Sequence, residues 1–106
     1  PEDEITTILE QLKREGLQSD ERYAEMRIRV RSQSGYGPLF IENELVKGGI
    51  DKDLISSLIE SSDIDWVTIA SIQKQKRNFK SDIHCKQFLF RKGFENSTIQ
   101  KVMKQE

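Results

Sequence analysis

Apolar residues recur along the chain at the three- and four-residue steps of a helix, not in the alternation of a strand. Ile5, Ile8, Leu9 and Leu12 form the first such group, and Gly16 follows at a position suited to closing a helix. Ser19 is placed to cap a second helix from about Asp20 to Gln33, ended by Gly35. Gly37-Pro38 puts proline in the first turn of a third, which carries Phe40, Ile41 and Leu45 and closes at Gly48-Gly49. Asp51 caps a helix with Leu54, Ile55, Leu58 and Ile59, and Asp63 or Asp65 caps the next, with Trp66, Ile69, Ala70 and Ile72 inward. Ser81 or Asp82 opens a helix over about 82–92 that holds Cys85, Phe88 and Leu89 and ends at Gly93. Asn96 or Ser97 opens the last, over about 96–105, with Ile99, Val102 and Met103. Only IRV at 28–30 alternates, so the expected fold class is all-α.

One phrase returns three times. Leu12 to Leu17, Leu45 to Ile50 and Leu89 to Phe94 all read Leu-x-x-x-Gly-apolar. Each is expected to end a helix on a left-handed glycine, bury the apolar residue after it and start another helix. Tandem helical units follow from that repetition, and units that stack in a line need little apolar material each. The composition agrees: only 35% of the 106 residues are hydrophobic and 33% are charged.

The net charge of −1 conceals blocks. Residues 1–20 hold six acids against two bases, and residues 38–65 hold seven against two. Residues 66–92 reverse this with seven bases and one acid, and Arg22, Arg27, Arg29 and Arg31 crowd a single helix. Such alternation predicts distinct basic and acidic faces. On the 20–33 helix, Tyr23, Met26 and Val30 are expected to form the apolar seam, flanked by the arginines pointing outward. They are then a contact surface for a partner's carboxylates or for phosphates, or else a solvated flank satisfied by Glu21 and Glu25. Lys74, Lys76, Arg77, Arg91 and Lys92 form the second candidate surface, for protein or DNA.

Gly35, Gly37 and Pro38 suit a tight turn, with Tyr36 expected to pack back on Phe40; Gly49 and Gly93 are the other structural turns. The N–H groups opening the Pro38 helix could cradle a phosphate, but no Gly-Lys-Ser/Thr follows GYGP and Gly-x-Gly alone is a poor signal for one. His84 and Cys85 have no further His or Cys to complete a zinc set or a nucleophile dyad, and are expected as a surface imidazole and a core thiol. No catalytic, cofactor or metal site is expected, nor an enzyme. A lone cysteine fits a reducing, cytoplasmic setting, and no apolar run approaches a membrane span.

The stretch DERYAEMRIRVRSQSGYGPLFIENELVKGGI, from Asp20 to Ile50, resembles the central repeat junction of the RecX family. DIDW at 63–66 and KQFLFRKGF from Lys86 to Phe94 continue the resemblance in the family's order. The resemblance implies tandem three-helix repeats in an elongated, curved body. It places the end of a first repeat in residues 1–34, a second repeat in 35–78 and a third in 79–106. It also implies further helices ahead of Pro1, making this an N-terminally truncated member. The implied partner is the RecA recombinase filament on single-stranded DNA. The implied role is negative regulation of filament extension, strand exchange, ATPase and co-protease activity in recombination and the SOS response. Direct binding to single- or double-stranded DNA, by an autonomous helical module, is the alternative.

Overall fold

The computed structural model describes residues 2–104, with side chains from Glu4 onward. Pro1 and the last residue of the expected 96–105 helix lie outside them. Among the described residues six helices follow one another: α1 Glu2–Gln33, α2 Pro38–Lys47, α3 Lys52–Ser61, α4 Trp66–Gln75, α5 Asp82–Arg91 and α6 Asn96–Lys104. The described residues contain no strand. The body is long and thin, with principal extents of 69 × 22 × 19 Å.

Two expected helices are one. α1 runs through Gly16 and Ser19 without a break, for 32 residues. A glycine-ended helix is held by burial of the apolar residue beyond it, but Leu17 is 61% exposed and has nothing to fold back onto. Good helix formers on both sides carry the helix across at a cost of about 1 kcal/mol relative to alanine.

Elsewhere the caps follow local chemistry. The side chains of Asp51, Asp65 and Ser81 accept from the backbone N–H groups of Leu54, Thr68 and His84, satisfying donors that the first helical turn leaves orphaned. Three helices end in the same six-residue hydrogen-bond pattern. The N–H of Tyr36 donates to the carbonyl of Arg31, that of Ile50 to Leu45 and that of Phe94 to Leu89. In each the residue before the donor is a glycine at positive φ. The motif does occur three times, but its first copy is Arg31 to Tyr36, not Leu12 to Leu17.

The helices pack as two bundles. Ala24 and Ile28 of α1, Ile41 and Leu45 of α2, and Ile55 and Leu58 of α3 close one core around Ile50. Ala70, Cys85, Leu89, Phe94, Ile99 and Val102 close the other, from α4, α5 and α6. Trp66 packs against both. This grouping differs from the division expected at 34/35 and 78/79, because the turn at Gly35 joins α1 to α2 within one bundle and the link from α4 to α5 lies within the other. The break falls instead between α3 and α4, at Asp63, which takes a positive φ of 58°.

The buried stripe of α1 also differs from expectation. Ala24, Ile28 and Ser32 face inward, while Tyr23 and Val30 are exposed. The small side chain of Ala24 lets α2 and α3 approach, which the larger Tyr23 would prevent. The helix is thereby rotated so that Arg27 and Arg31 border α2, and Arg22 and Arg29 face solvent.

Candidate partner interface

The GYGP turn is the joint between the bundles. The Gly37 N–H donates to the Lys92 carbonyl at 2.7 Å, and the Leu39 N–H donates to the Gly93 carbonyl at 2.9 Å. The start of α2 therefore meets the end of α5, so that orphan donors find orphan acceptors and opposite dipole ends adjoin. A Cβ on Gly93 would lie 2.4 Å from the Phe40 nitrogen, and its φ of 95° already favours glycine. Pro38 is buried beside this contact.

Aromatic rings and cations line the same joint. Tyr36 stacks on Phe40 with ring centroids 4.2 Å apart, as the sequence suggested. Lys92 Nζ sits 3.6 Å from the Tyr36 centroid, and the Arg31 guanidinium lies over Tyr36 at 5.4 Å. Both cations thus gain a favourable ring face.

The four arginines of α1 divide into a pair bonded to α2 and a pair facing solvent. Arg31 Nε donates to Glu44 Oε2 at 2.9 Å, and Arg27 donates to Oε1 of the same carboxylate. Arg27 and Arg31 were expected to point outward; instead they tie α1 to α2 because the rotated helix turns them toward Glu44. The hydrogen bond to Glu44 holds the Arg27 guanidinium above its ordinary pKa. Burial pushes the Glu44 carboxyl up, but hydrogen bonds and charge from Arg27 and Arg31 outweigh it and hold the group below the usual carboxylate range. Arg22 and Arg29 are exposed and carry no ion pair among the described residues.

The second candidate surface divides in the same way. Lys74 donates to the Val102 carbonyl at 3.4 Å, Arg77 lies 4.3 Å from the Phe88 ring centroid, and Lys92 serves the joint. Lys76 and Arg91 remain exposed and unpaired. Five of the nine cations singled out from the sequence therefore have structural work, and four face solvent free.

Glu44 was missed as the organiser of this arrangement. Its signal was present: two arginines four residues apart form a fork that one carboxylate can fill. Among the described residues no group of His, Cys, Asp and Glu could hold a metal ion, and no helix is long and apolar enough to cross a membrane. His84 is exposed, and Cys85 is buried with its thiol pushed up by that burial.

Two packed helical bundles joined through glycine turns, with free cations outside, define an all-α helical-repeat protein. The family model described as RecX, second three-helix domain, matches residues 19–58, which span the C-terminal half of α1, α2 and most of α3. The regulatory protein RecX of Legionella pneumophila (strain Corby) is 39% identical over 110 residues, covering 96% of this chain and 73% of that protein. Those of Haemophilus ducreyi and Actinobacillus pleuropneumoniae are each 36% identical, covering 95% and 96% of this chain and 70% and 71% of their own. The chain belongs to the RecX family.

Proposed function

We propose that this chain is a negative regulator of the RecA recombinase, acting in the cytoplasm. It binds RecA filaments on single-stranded DNA and limits their extension, and with it strand exchange, ATP turnover and co-protease activity in the SOS response. The observation that carries the reading is the 39% identity to a RecX protein across 96% of the chain. The geometry fits it: a body 69 Å long and about 20 Å thick suits lying along a filament and touching more than one subunit. The work is binding, not catalysis.

The contacts we assign are the four free cations, Arg22 and Arg29 on α1 and Lys76 and Arg91 on the second bundle. They suit carboxylates of the recombinase or phosphates of its DNA. Arg27 and Arg31 are assigned to the fold, since reversing them would set three acids against each other around Glu44.

The test is single-stranded-DNA-dependent ATP hydrolysis by preformed RecA filaments, with the chain titrated in at substoichiometric amounts. The rate should fall well below one chain per recombinase, and the Arg22→Glu/Arg29→Glu variant should require several-fold more protein for the same effect. No inhibition by the wild-type chain, beside inhibition by a longer RecX relative, would locate the activity outside these residues. Inhibition by the variant at wild-type concentrations would remove Arg22 and Arg29 from the contact.

A further inference from the structure

Ile83 and Phe90 are the most exposed large apolar side chains among the described residues, at 65% and 68%. Seven residues apart, they lie two turns along one face of α5. A single exposed apolar residue means nothing, but here two share one helix face and Phe90 borders a shaped feature. Phe90 lines an open groove of about 440 Å3 between α5 and α6, with the buried Ile99 also in its wall. Lys86 and Arg91 stand beside Phe90, Gln100 lines the α6 side, and none of the lining residues is acidic. Neither Lys86 nor Arg91 makes a hydrogen bond, ion pair or ring contact among the described residues.

The chemistry is an apolar anchor point rimmed by unspent cations. Interfaces between proteins concentrate their energy in such places, where an aromatic or aliphatic side chain is enclosed and polar groups surround it. A nucleobase could stack on Phe90, but Ile83 offers no ring to a second base, and Ile99 adds an aliphatic wall. An amphipathic helix meets all of these features at once, since its own apolar residues recur at a spacing that matches Ile83 and Phe90. The unpaired positive rim selects an acidic one.

We infer that the α5–α6 groove docks an acidic amphipathic protein segment, seating an apolar side chain against Phe90 and Ile99 and carboxylates on Lys86 and Arg91. The inference rests on the recombinase reading in one respect: the segment belongs to the protein component of the filament, not to its DNA.

The test compares the wild-type chain with Phe90→Ala and with Lys86→Glu/Arg91→Glu, all at exposed positions and checked for unchanged helicity by circular dichroism. Binding is measured by co-sedimentation with RecA filaments on poly-dT and, separately, by fluorescence anisotropy on a naked dT oligonucleotide. Both variants should bind filaments at least tenfold more weakly, with any affinity for the oligonucleotide unchanged by Phe90→Ala. Filament binding equal to wild type in both variants would overturn this inference alone. A parallel loss on the naked oligonucleotide with Phe90→Ala would make nucleic acid the occupant and overturn it too. Failure of the wild-type chain to bind filaments would sink the recombinase reading, and this one with it.

Discussion

Gly37 and Gly93 meet backbone to backbone: a Cβ placed on Gly37 would lie 2.4 Å from the carbonyl of Gly93. Two interbundle hydrogen bonds flank the contact, so no side-chain rearrangement can make room. Gly37→Ala must push the bundles apart and weaken both bonds. We expect a loss of about 2 kcal/mol, read as a fall in Tm of roughly 10 °C. A melting curve unchanged from wild type would mean that the joint is not as tight as described.

The opposite outcome is expected at Gly16. A Cβ there meets nothing within 4 Å, and the residue sits inside α1. Gly16→Ala should favour the helix by about 0.5–1 kcal/mol, seen as stronger ellipticity at 222 nm and slower amide exchange around residues 10–22. Weaker ellipticity would restore Gly16 as a helix end.

Acid should loosen the tie between α1 and α2. The Glu44 carboxyl titrates below its ordinary range in the folded chain, so its contribution is present above the unfolded value and is lost as pH falls through the folded one. Asp65, held down by the Thr68 hydroxyl and backbone N–H, adds to the same trend. Glu44→Gln should lower Tm at neutral pH by about 3–5 °C, a modest figure because the pair is partly exposed. It should also flatten the acid limb of a stability-against-pH curve. An acid limb identical to wild type would remove Glu44 as its source.

Cys85 should resist modification. It is 2% exposed, and burial raises its thiol pKa, so both access and thiolate are scarce. Reaction with a water-soluble disulfide reagent at neutral pH should be about a hundredfold or more slower than for a free thiol, recovering fully in denaturant. Rapid labelling of the native chain would show that the second core opens readily.

The helices were legible in the sequence wherever a local signal fixed them. Asp51, the Asp65 alternative and Ser81 cap as expected, and Gly35, Gly49 and Gly93 end helices at positive φ. What failed was inference from side-chain size and motif without a packing partner. Leu12 to Leu17 has the right letters but no surface for Leu17, while Arg31 to Tyr36 makes the turn without the leading leucine. The arginine stripe was visible, but its direction depended on whether Ala24 or Tyr23 faced the core. That choice is made by helices distant in sequence, and it decided which cations are free.

The unbroken course of α1 also has a mechanical consequence. At a rise of 1.5 Å per residue, its 32 residues form a spar of roughly 48 Å, rooted at one end among α2 and α3. Ile5, Ile8, Leu9 and Leu12 stand exposed on the other end. A hinge at Gly16 would let the two ends swing separately; a continuous helix transmits torque. Whatever grips the far end therefore steers the bundle at the near one.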